Sequence, residues 1–272
     1  MTILVNLIVT LGMLVILPLG LRLLHLPAAV RTFWPLAAVP GAISLWLPRG
    51  ATAAGLAAAY LAMTLIVAFQ AGRRSGWNPR ELAVRTALVS PAVAAAALLV
   101  ERTGVGLFAV DVEGLARALP QLHYAGFTAA LVAGLIHRTD QDSTAARIAA
   151  LTVPIGAETI LIGYFVGGHL ELVGALVLTT GMWFVGWLMW RDGFLFKLSS
   201  AVLAATVLLA VLWAAGEAFG TPGFGLTWLT ATHGVATALG LALCGLLAWK
   251  RNNEADLVAV RPQRGVQPAE RA

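Results

Sequence analysis

Charge is scarce in this sequence: Asp, Glu, Lys and Arg make up 11% of its 272 residues, against roughly a quarter in soluble domains. There is one cysteine, Cys244, inside an apolar run, which excludes a disulfide framework and a thiolate metal site. Several chemical motifs are missing as well. There is no Gly-rich phosphate loop, no His-Glu-x-x-His or His-x-x-Glu-His, and no Cys-x-x-Cys-His for covalent haem. No Asp-rich box is present to hold magnesium and a diphosphate. The N-terminal segment has neither a basic start nor an Ala-x-Ala site, so it reads as a retained span rather than a signal peptide.

What the sequence does have is apolar surface: 59% of the residues are hydrophobic and the mean hydropathy is +0.84. This composition belongs to an integral membrane protein whose partner is the lipid bilayer. The net charge of +5 lies mostly in short loops and the C-terminal tail, where it reports topology and not a nucleic-acid partner. About 20 apolar residues are needed to cross a bilayer as a helix. The expected fold is therefore an all-α polytopic bundle of eight or nine transmembrane helices. The nine spans are 2–24, 34–48, 51–71, 83–102, 119–137, 145–166, 170–190, 197–217 and 228–249. The second is short and holds Pro40-Gly41, so a kinked or re-entrant segment is the alternative.

Basic residues arbitrate the orientation. With the N-terminus outside, the inner loops and helix ends hold Arg22, Arg31, Arg73, Arg74, Arg80, Arg85, Arg138, Arg147, Arg191, Lys197, Lys250 and Arg251. The outer side holds only Arg49, Arg102 and Arg117. Nine spans satisfy that alternation, giving a multi-pass cell-membrane protein, N-terminus out and C-terminus cytoplasmic. Residues 1–251 form one transmembrane domain. The polar tail 252–272, with Pro262 and Pro268, reads as a disordered cytoplasmic segment. The long loop 103–118, with Phe108-Ala-Val-Asp111-Val-Glu113, suits an amphipathic segment across the mouth of a cavity.

Polar groups inside spans are costly and usually face a protein interior or a water-filled cavity. At 1.5 Å rise per residue, His123 and His233 sit roughly 6–8 Å inside the outer boundary, and Glu158 roughly 12 Å. Glu101, His169, Glu171 and Glu217 fall at or near outer helix ends. Helical phase groups some of them. Glu158, Ile162, Phe165 and His169 share a face if the helix runs through Gly167-Gly168. Thr206, Ala210, Trp213 and Glu217 make a second stripe, and His233, Thr237, Gly240 and Cys244 a third. A polar-lidded apolar pocket around His123, Glu158 and His233 is the expectation. Gly126, Ala130 and Gly134 would let other helices approach the face of His123. Trp34, Trp46, Trp187, Trp190, Trp228 and Trp249 read as an aromatic belt.

The strings Leu122-His-Tyr-Ala-Gly-Phe127 and Thr232-His-Gly-Val-Ala-Thr-Ala-Leu-Gly240, followed by Cys244-Gly245-Leu246, resemble the C-terminal half of YndJ-like bacterial membrane proteins. The chain is similar, too, to membrane-bound terpene cyclases of the drimentine type, which act on farnesylated indole diketopiperazines. That resemblance implies a cofactor-free enzyme that protonates a prenyl chain and folds it into rings. In that reading Glu158 is the proton donor, and His123 or His233 orients it or takes the final proton. Tyr124, Phe127, Phe165 and Trp213 would wall the cation with aromatic faces, and Glu101, Glu217 and His169 complete the substrate-binding set. The partner is a small prenylated apolar molecule; oligomeric state stays open. Two other readings use the same residues: a transporter of an amphipathic small molecule, and a haem- or quinone-binding protein with His123 and His233 as ligands.

Overall fold

The computed structural model describes residues 3–106, 111–190, 193–221, 223 and 225–259. Among them are nine long helices and no strand. They are α1 (Ile3–Leu23), α2 (Ala28–Ser44), α3 (Ala51–Gly72), α4 (Pro79–Thr103) and α5 (Val112–Thr139). Then follow α6 (Thr144–Val166), α7 (Gly168–Met189), α8 (Phe194–Phe219) and α9 (226–259). All but α2 are long and apolar enough to cross a membrane, as the low charge and long apolar runs require. This is a polytopic helical bundle.

The exception, α2, is 17 residues long with Pro35 and Pro40 inside, and it begins at Ala28 and ends at Ser44 instead of running 34–48. It nevertheless returns to the end from which α1 starts. Asn6 Nδ2, on the second turn of α1, donates to Leu45 O just past α2 (2.9 Å). Seventeen residues rise about 26 Å, close to the thickness of a hydrocarbon core of about 30 Å. The alternation of nine helices is thus preserved: α1, α3, α5, α7 and α9 start at one end of the bundle.

Two other boundaries differ from the sequence reading. Asp111 accepts from Gly114 N (2.7 Å) and so starts α5 at Val112, which makes 112–118 the first turns of a span rather than a loop. Residues 107–110, including Phe108, lie outside the described residues, as does Arg191. At the C-terminus α9 continues to Ala259, past the boundary drawn at 251; 260–272, with both tail prolines, lie outside the described residues.

Packing depends on small residues, as expected where lipid removes the hydrophobic drive between helices. A Cβ on Gly126 would meet Ser90 Oγ at 2.6 Å, and one on Gly134 would meet Val84 at 3.1 Å, so α5 lies tightly on α4. On α6 and α7 the seam brings backbone against backbone. A Cβ on Gly163 would stand 2.6 Å from Glu171 N, and one on Gly174 would stand 2.6 Å from Ile160 N. Between these helices only Gly167 breaks the ladder, at φ 137°, a conformation available to glycine and strained for other residues.

Candidate functional site

Three helices carry turns in which the ladder runs to the fifth residue: Gly12–Ile16 of α1, Leu122–Ala129 of α5, and Thr230–Gly234 with Thr237–Cys244 of α9. Such widened turns are rare and concentrate at functional sites. His123 and His233 both sit in them, and their surroundings differ.

His123 is fully buried. Its Nδ1 lies 2.7 Å from Leu119 O; a carbonyl can only accept, so Nδ1 carries the proton. Nε2 therefore accepts from the Tyr60 hydroxyl at 2.9 Å. Gly12 makes room for the imidazole and Gly41 for the Tyr60 ring. Trp34, edge-on to Tyr60 at 5.9 Å, donates Nε1 to Met13 O at 2.9 Å. Both nitrogens of His123 are engaged, in a knot joining α1, α2, α3 and α5. Trp34 is only 2% exposed and Trp249 is buried too, so these two belong to the interior and not to an interfacial belt.

His233 is set up in the same way on one side only. Nδ1 donates to Thr206 O of α8 at 2.8 Å, and among the described residues nothing occupies Nε2. This histidine lines a cavity of about 370 Å³ enclosed by α1, α5, α6, α7, α8 and α9, within the usual range for small-molecule sites. From the mouth inward α5 contributes Glu113, Arg117, Gln121, Tyr124, Ala125 and Ala129. In the same direction α7 contributes Glu171, Ala175, Thr179 and Met182; α9 contributes Thr230, His233, Thr237 and Leu241. Trp213 of α8 and Tyr164 of α6 add aromatic walls. Glu113 is exposed and Glu171 buried, so the carboxyls run from mouth to interior. Arg117 and Glu217 are the charged groups acting on Glu171. Among the described residues, Gln121 Nε2 and Thr237 Oγ1 are buried without a hydrogen-bond partner. Tyr124 donates its hydroxyl to Ile8 O at 2.8 Å, which fixes α1 across one side.

Of the residues expected to meet, the cavity brings together Tyr124, Trp213 and His233. His123 lies outside its lining, in the knot just described. Phe127 is fully buried in the core, against Gly20. Glu158 is half-buried and does not line the cavity. It shares a face with Ile155, Ile162 and Phe165, which are 49%, 52% and 43% exposed, so that stripe points outward. The continuation to His169 fails because Gly167 ends α6. His169 is exposed on α7, with Phe219 edge-on at 5.8 Å, and Glu217 is exposed beside the mouth.

Glu101 has a different task. Fully buried, it takes Arg49 Nη2 at 2.9 Å and the guanidinium of Arg102. Arg102 Nη1 in turn donates to Ser44 O at 3.2 Å, one of the carbonyls at the end of α2, where a basic side chain is favoured. This cluster ties the end of α2 and the link that follows it to α4, away from the cavity. Glu113, Arg117, Gln121, Tyr164 and Glu171, by contrast, were not singled out as site residues. For the three on α5 the signal is the i, i+4 spacing of Glu113, Arg117 and Gln121, which a span starting at 119 hides; for Glu171 it is its place at an outer helix end.

Fold and cavity together define a multi-pass helical membrane protein with a polar-mouthed apolar chamber. Residues 7–241 match the family described as YndJ-like protein, and the chain belongs to that family. No curated protein and no solved structure matches it.

Proposed function

We propose that this chain is a membrane-embedded cyclase that protonates the alkene of a prenylated substrate held in the cavity. The observation that carries this reading is the pairing of an acid and a free base in one apolar chamber. Glu171 and the unoccupied Nε2 of His233 both line it, with Tyr124, Tyr164 and Trp213 around them. Glu171 in its acid form transfers its proton to a double bond of the prenyl chain held beside it. The resulting cation is attacked by the next double bond and stabilised by the aromatic faces. Loss of a proton to His233 Nε2 ends the sequence, and the two side chains are reset through water at the mouth. The reaction is an isomerisation in which no group leaves, so no diphosphate or metal is called for. Apolar walls keep water from the cation.

The proton donor is assigned to Glu171 and not to Glu158, because only the former lines the cavity. The test is product analysis after supplying prenylated indoles to cells and to purified protein. Glu171→Gln is expected to lower cyclisation by at least about a hundredfold, the usual scale of a general acid. His233→Ala should lower it and alter which alkene isomer forms. Glu158→Gln should stay within about twofold of the parent. Unchanged turnover in Glu171→Gln would defeat the assignment. If the parent protein alters no prenylated substrate but moves one across liposome membranes, the transport reading replaces this one.

A further inference from the structure

We propose that Met182, Leu203 and Leu241 form a floor that sets the length of the apolar chain the cavity accepts. The inference rests on reading the cavity as a prenyl-substrate site and extends it to substrate length. Three helices independently end their cavity lining at these residues. Met182 lies 14 residues beyond Gly168, Leu203 lies 16 before Phe219, and Leu241 lies 15 beyond Leu226. At 1.5 Å per residue these are depths of about 21–24 Å from the mouth end. That agreement, on helices running in both directions, puts the three side chains at one level as an end wall. By contrast, α1 and α6 leave the lining nearer the mouth, at Ile8 and Ile160, so the chamber narrows toward that wall. Each of the three is 2% exposed.

Below the wall the bundle is filled. Met189 is 1% exposed, Phe196 is 2%, and the Phe196 and Trp249 rings meet edge-on at 5.5 Å. None of these lines the cavity. Polar lining groups are confined above the floor: Thr179 and Thr237 come nearest, each about one turn above Met182 and Leu241. A ligand therefore enters with its apolar end leading and keeps its polar end near Glu113 and Arg117. Each methylene buried above the floor tightens binding by about fourfold. A methylene beyond it meets packed side chains that give way only at a cost. The ligand class is a linear isoprenoid of bounded length, with one tightest-binding member in a series.

The experiment measures equilibrium binding of prenyl alcohols, each one isoprene unit longer than the last, to the full chain in lipid nanodiscs. One length should bind best, with the next longer at least about tenfold weaker. Met182→Ala should move the optimum one unit longer, and Leu203→Phe should move it one unit shorter. Thermal midpoints identify any variant that is merely misfolded, and the oppositely directed pair guards against a trivial loss. Equal binding of all lengths by the parent, or an unchanged optimum in both folded variants, overturns the floor but leaves the cyclase reading standing. Length-selective binding without turnover of any prenylated indole keeps the floor and defeats the cyclase. No binding of any alcohol defeats both.

Discussion

His123 and His233 show how far a residue's role depends on its second nitrogen. Each anchors Nδ1–H on a backbone carbonyl, His123 on Leu119 of its own helix and His233 on Thr206 of α8, and the difference that matters is the partner of Nε2. For His123 that partner is the Tyr60 hydroxyl, so Tyr60→Phe leaves a buried acceptor unsatisfied. That should cost about 1–3 kcal/mol, seen as a lower thermal midpoint in detergent, while ligand affinity holds. An unchanged midpoint would show that the knot draws nothing from this bond. Glu101 invites a sharper comparison. Glu101→Gln removes the carboxylate that pairs Arg49 and the buried guanidinium of Arg102, a loss of about 3–5 kcal/mol for a broken buried pair. Glu158→Gln strands nothing among the described residues, so its midpoint should move far less. Equal shifts in the two variants would contradict the ion-pair role assigned to Glu101. These differences were beyond the reach of the sequence. Depth along a helix was readable from the span boundaries, but direction around the helix axis depended on which neighbours pack where. Glu158 and Glu171 both looked like outer-half carboxyls, and only the packing of α6 on α7 turns one outward and the other in.

At the scale of the helix, the spans themselves were legible because length and hydropathy decide them, and eight of the nine were placed within a few residues at most ends. The errors fell where a cap or a special turn rules. Asp111 starts α5 seven residues early, Gly167 cuts the supposed stripe from Glu158 to His169, and the widened turns left no mark in the apolar pattern. The glycine seam of α6 and α7 makes a direct prediction. Gly174→Val would push a side chain into Ile160 N, and the yield of folded protein should collapse. Gly55→Ala, where a Cβ meets nothing within 4 Å, should be neutral or stabilising by up to about 1 kcal/mol. If both variants purified with equal midpoints, α6 and α7 would not be packed as described.

For the molecule as a whole, the basic residues at helix ends and in short loops gather at the end opposite the cavity mouth. The mouth end holds Arg49, Arg102 and Arg117. By the positive-inside rule the mouth is expected to face away from the cytoplasm. Cysteines introduced at Gly76 and Gly104, in loops at opposite ends of α4, should label from opposite faces, with residue 104 reached from outside intact cells. Labelling of residue 76 from outside would invert the bundle and put the chamber in contact with the cytoplasmic leaflet.

One consequence follows from the single-residue link between α6 and α7. During synthesis each of these helices presents a carboxyl-bearing span to the membrane, Glu158 on one and Glu171 on the other, and such residues make a lone helix expensive to insert. Gly167 leaves no loop long enough for the first helix to settle before the second emerges. A pair joined this closely is expected to enter the bilayer as one hairpin closed on its glycine seam. In that order of assembly, the wall of the chamber that carries Glu171 would be set before α8 and α9 arrive to complete it.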